Sequence, residues 1–175
     1  MLLGASIVSA AALSLAAVSQ RREEPVHEPF IAFARDFDGF DRWQAFEVVA
    51  DKHAANVHAE GPRTVYLNQR AGLTDVRFPL GTMIVKVIRV GERKDWPMFA
   101  MVKRGGGYNR GGAYGWEWFQ LARDEGTVRI QWRGTGPPND EAGYQSGTDC
   151  NKCHMEWSAH NDAVQSVMLE TNKRD

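Results

Sequence analysis

From Arg63 onward, apolar side chains recur at every second position in a series of short runs: residues 63–67 (RTVYL), 82–90 (TMIVKVIRV), 99–103 (FAMVK), 116–122 (WEWFQLA) and 128–133 (VRIQWR). A period of two places alternate residues on opposite faces of an extended chain, and the runs are rich in the β-branched and aromatic residues that strands favour. Turn-forming stretches at 71–81, 91–97, 104–115 and 124–126 separate them. No helical pattern intervenes, so the runs predict an antiparallel sheet.

Outside this block the period changes. Residues 43–56 (WQAFEVVADKHAAN) lack Gly and Pro and space Trp43, Phe46, Val49 and Ala50 at helical intervals, which predicts one helix. Residues 134–148 read as a long loop. A final helix is expected over 149–169, with Thr148 or Asp149 as its N-cap. The expected fold class is therefore α+β: a mostly antiparallel β-sheet with an N-terminal helix and a C-terminal helix. The chain of 175 residues is long enough for one domain with a core. A net charge of −1 gives no electrostatic reason to expect nucleic acid as a partner.

Residues 2–18 (LLGASIVSAAALSLAAV) are an unbroken run of apolar and small residues, and Ala17-Val18-Ser19 offers a small-x-small pattern for cleavage. Residues 1–19 read as a signal peptide, or as an anchor at residues 2–18 if uncleaved, although no Lys or Arg precedes the run. The expectation is an exported, periplasmic protein. Residues 20–41, broken by Pro25, Pro29 and Gly39, read as a leader segment with at most a short helix, and 42–175 as a single domain.

The expected final helix opens with Cys150-Asn151-Lys152-Cys153-His154, a C-x-x-C-H motif and the attachment signature of a c-type haem. Two thiols about one helical turn apart can each add across a haem vinyl group, and the adjacent histidine supplies an axial nitrogen to the iron. Structural zinc wants four ligands, and the chain holds no further cysteine. A thioredoxin-like pair belongs beside a βαβ unit, and a disulfide across two residues closes almost no loop. One covalent haem c is expected, on Cys150 and Cys153, with His154 as the iron ligand; the C-terminal helix is thus a haem-bearing helix. Met155 is too close to His154 to reach the other haem face, and Met168 lies further along the same expected helix, so the sheet must cover that face. His27, His53, His58 and His160 read as structural or surface residues. The Gly-rich stretch 104–112 does not open a helix and reads as a flexible connection.

Four pieces in this order resemble the cytochrome P-460 family: Arg63-Thr-Val-Tyr66, the 78–86 segment FPLGTMIVK, Met101-Val-Lys-Arg104 with Gly115-Trp-Glu-Trp118, and the late C-x-x-C-H. The resemblance covers roughly residues 43–165. It implies a mostly antiparallel fold, a homodimer, and a five-coordinate haem with one open face. It also implies a lysine bonded to the haem macrocycle, at the position of Lys86, in members that oxidise hydroxylamine. Those members carry a carboxylate over the iron where this chain has Phe99. A related branch, the β-type cytochromes c-prime, lacks the bonded lysine, covers the iron with phenylalanines and binds nitric oxide and carbon monoxide.

Alternation puts Lys86 on one face with Ile84 and Ile88, either as a pocket lysine or with its stem on apolar surface and its amine in water. Glu117 shares a face with Phe119 and Leu121, as a pocket carboxylate able to move protons or as a solvated glutamate. Arg63, in line with Val65 and Leu67, is placed to pair with a haem propionate. Three functions follow as expectations. The first is oxidation of hydroxylamine, with Glu117 and Phe99 as the residues over the iron and a cytochrome as redox partner. The second is capture of nitric oxide behind an apolar cap. The third is simple electron transfer.

Overall fold

The computed structural model describes residues 28–48, 61–69, 77–138 and 150–165. Six strands form one antiparallel meander in sequence order: β1 (Gln44–Val48), β2 (Arg63–Leu67), β3 (Met83–Ile88), β4 (Met98–Lys103), β5 (Trp116–Asp124) and β6 (Thr127–Gly134). One α-helix, α1 (Cys150–Ser158), follows the sheet, and short 3-10 turns lie at Ala34–Phe37, Phe40–Arg42, Arg93–Asp95 and Ala159–Asn161. All five expected strands from Arg63 onward are present, with ends shifted by a few residues.

The expected fold class is corrected at its N-terminal helix: residues 44–48 are strand β1, and 49–56 lie outside the described residues. Phe46 stands opposite Val65, and Glu47 accepts hydrogen bonds from Thr64 Oγ1 at 2.9 Å and from both terminal nitrogens of Arg89. A short apolar run fits either period, and here pairing with the edge of β2 decides between them.

The expected C-terminal helix is also shorter. It gives way after Ser158 to the 3-10 turn, then Asp162 (φ +52°) and Ala163 (φ +66°) reverse the chain. The positions of Thr148, Asp149 and Met168 lie outside the described residues, as do residues 1–27 and the histidines at 27, 53 and 58. Among the described residues no helix is long and apolar enough to cross a membrane.

Both faces of the sheet are covered. On one, Val85, Val87, Met98, Val102, Phe119 and Leu121 pack under Ala32, Phe37 and Phe40, with the Phe37 and Phe119 rings edge to face at 5.3 Å. Ala32, Phe37 and Phe40, from the segment 20–41 read from the sequence as leader, are therefore core residues. On the other face, Val65, Leu67, Ile84, Met101, Trp116, Trp118 and Trp132 pack under Phe78, Ala113, Ala163 and Val164. A β-bulge at the β5–β6 pairing lets Ile130 and Trp132 serve opposite faces although they are two residues apart.

Candidate functional site

The second face carries the site. Helix α1 is docked there by Asn151, the first residue between the two cysteines. Its Oδ1 accepts from Asn109 Nδ2 (2.7 Å), Trp118 Nε1 (3.0 Å) and the Ala113 N–H (3.1 Å), and its Nδ2 donates to the Thr135 carbonyl at 2.8 Å. The Gly-rich connection is thus a docking surface for the helix. Gly112 is required for the close approach, because a Cβ there would fall 2.2 Å from Asn151 Cγ.

His154 lies one residue beyond Cys153, its ring 4.5 Å from that of Trp118. Its Nδ1 is 2.7 Å from the Ala163 carbonyl oxygen. A carbonyl can only accept, so Nδ1 carries the proton and Nε2 is left with the lone pair that a metal needs. Burial pushes the His154 pKa down to about 4; the bond to Ala163 opposes this and the charge of Lys86 adds to it. The ring is therefore neutral at neutral pH, the form that ligates.

Facing the helix is a cross-strand row set by the register: Phe46, Val65, Lys86, Phe99, Gln120 and Trp132 are successive partners on β1 to β6. Lys86 and Phe99 are half-buried at the centre of a sheet whose neighbouring side chains, Ile84 and Met101, are buried. Burial first, then the charge of Arg63, lower the Lys86 pKa to about 7, while the thiols of Cys153 and Cys150 pull the other way. Lys86 is thus within electrostatic reach of Arg63, both cysteines and His154. Arg63 is buried on β2, opposite Ile88.

The structure thus brings together Arg63, Lys86, Phe99, Cys150, Cys153 and His154. It does not bring Glu117 to them. Glu117 faces the opposite core beside Val102, 2% exposed, held by Arg133 at 2.7 Å through each oxygen and by Arg104 at 3.1 Å. His160 is exposed on the turn after α1.

These residues fit a covalently held haem. The two thiols are half-buried on the first turn of α1, the histidine tautomer presents Nε2, and the facing sheet offers an aromatic ring and a deprotonatable amine. Among the described residues no group of three or more His, Cys, Asp and Glu is arranged to hold a bare metal ion. Sequence reasoning missed Asn151, Lys103, Asp162 and Ala163. All act through long-range contacts, and the two consecutive non-glycine residues at positive φ carry no local signature. Comparison of the chain with family models, with curated proteins and with solved structures returns no match.

Proposed function

We propose that this chain is an exported mono-haem c-type cytochrome of the P-460 kind that oxidises hydroxylamine. Cys150 and Cys153 would hold the haem, each thiol adding across one vinyl group, and His154 would present Nε2 to its iron. Lys86 would be bonded to the haem edge, its N–H and one haem C–H being lost to an external two-electron oxidant such as a peroxide. The observation that carries the reading is the placement of Lys86 opposite a C-x-x-C-H helix whose histidine has its Nδ1 committed to a backbone carbonyl. When bound, such a haem supplies a redox-active iron with one coordination position open to a small molecule. Trp118 and the Ala163 carbonyl fix the imidazole plane. Burial keeps the Lys86 amine readily deprotonated and hence nucleophilic. Phe99 limits water beside it, and Arg63 is placed for a propionate. A homodimer and a cytochrome that accepts the electrons belong to the same proposal.

One observation favours a second reading, capture of nitric oxide. Phe99 stands beside Lys86 where a hydroxylamine oxidase needs a proton acceptor, and Glu117 is committed to two arginines on the far face. An apolar wall admits small neutral gases and disfavours polar substrates.

The test is acid-acetone extraction followed by proteolysis and mass spectrometry of matured protein. Haem should stay with the wild type and be lost from Cys150→Ala/Cys153→Ala. The haem peptide should contain Lys86 as well as Cys150 and Cys153, with absorption bands red-shifted from an ordinary c-type haem. Lys86→Ala should then restore the ordinary spectrum and abolish hydroxylamine oxidation. Recovery of unmodified Lys86, together with tight nitric oxide binding, selects the second reading. Extractable haem in the wild type refutes both.

A further inference from the structure

We infer that the buried ion pair between Lys103 and Asp162 is a positioning device for His154, acting through the carbonyl of Ala163. The inference rests on His154 being the axial ligand. Lys103 closes β4, and its Nζ sits 2.7 Å from each carboxylate oxygen of Asp162, with side chains 8% and 9% exposed. Asp162 is held at two further points: the Phe78 N–H donates to its carboxylate at 2.9 Å, and Trp116 Nε1 donates to its backbone carbonyl at 2.7 Å. Lys103 is held in turn by the Tyr114 carbonyl at 3.0 Å and lies over the Trp116 ring.

These anchors keep Asp162 and Ala163 in consecutive left-handed conformations, in a local sequence without glycine to favour them. Such backbone persists only where its surroundings over-determine it. The reversal lets the Ala163 N–H bond back to the Ser158 carbonyl at 2.8 Å and turns the Ala163 oxygen onto His154 Nδ1. The hydrogen bond that selects the histidine tautomer thus depends on a charge pair outside the ring's own surroundings. Donation from Nδ1 raises the basicity of Nε2, so the pair tunes how strongly the iron is held.

The experiment uses matured full-length protein and reads the iron–histidine stretching frequency of the ferrous form together with the reduction potential. The neutral pair Lys103→Met/Asp162→Asn should lower the stretching frequency and shift the potential to more positive values, with the haem still attached. Unchanged readouts in the neutral pair overturn the inference. If that variant does not fold, Trp116→Phe removes one anchor of Asp162 and should shift both readouts in the same direction by less; no shift is again a refutation. If the wild type holds no covalent haem, the proposed function fails and the inference is decided separately by the ¹⁵N shifts of the His154 ring. These should report a single Nδ1-protonated tautomer in the wild type and a mixture in the neutral pair. A single tautomer in both overturns it.

Discussion

Lys86 and Phe99 are direct cross-strand partners on β3 and β4, with the Lys86 Nζ 5.8 Å from the centre of the Phe99 ring. The pair sets a deprotonatable amine beside an apolar face at the middle of the sheet, opposite the helix with the two thiols. On the proposed reading, a small molecule at this site meets both.

Replacing the ring tests that statement. Phe99→Ala should change the association rate of carbon monoxide or nitric oxide, read by flash photolysis, while His154 still holds the iron. Stability should fall by about 1–2 kcal/mol, less than for a fully buried phenylalanine, because this ring is half-exposed. An unchanged gas-binding rate would remove Phe99 from the site.

The pH dependence of stability has a defined sign. In the haem-free chain with both cysteines kept reduced, Lys86 binds its proton less tightly when folded, at about 7, than its ordinary 10.5. The contribution of this group should be most favourable above 10.5, fall as the pH falls toward 7, and show no further change below it. His154, lowered from 6.5 to about 4, adds a loss between those two values. Denaturant titrations of Lys86→Met should flatten the upper window alone. An identical profile in that variant would show that Lys86 is solvated.

Glu117 should matter for stability and not for chemistry. Glu117→Gln leaves Arg133 and Arg104 without their buried counter-charge; removing one partner of a fully buried pair costs about 3–5 kcal/mol, and the partial exposure of both arginines lowers the cost here. Turnover per haem should be unaffected in the folded fraction, since the carboxylate lies on the far side of the sheet. Loss of turnover with the fold intact would contradict the placement described above.

Gly112→Ala should reduce the haem incorporated per chain. The added methyl falls against the Asn151 amide, so either the helix shifts or the amide abandons Asn109, Ala113 and Trp118. Overpacking of this kind costs about 1–3 kcal/mol. Pyridine haemochrome content per mole of protein is the measurement. Full incorporation would mean that the docking of Asn151 is dispensable for attachment.

The sheet was readable because alternation is local, and so was the C-x-x-C-H, whose spacing is its chemistry. Lys86 could be singled out for the same reason: its flanking residues on one face are Ile84 and Ile88. The same rule grouped Glu117 correctly with Phe119 and Leu121. It could not say that this group faces the N-terminal segment rather than helix α1, because a period of two assigns partners and not sides. Strand β1 escaped because Phe46 fits a helical spacing with Trp43 as well as a strand spacing with Val48, and the deciding contacts of Glu47 come from Thr64 and Arg89. The early end of α1 escaped because its cause, the capture of Asp162 by Lys103, spans much of the chain.

Every strand of the sheet pairs with the one preceding it in sequence. Such a meander can assemble by adding one hairpin at a time, each new strand pairing with the strand before it in sequence. Helix α1 follows the last strand, and its anchors on Asn109 and Trp118 exist only once β4 and β5 are paired. The platform therefore completes before its helix can settle, and until then both thiols remain on an undocked segment. Under the haem reading proposed above, the order of folding sets when the two thiols are open to attachment.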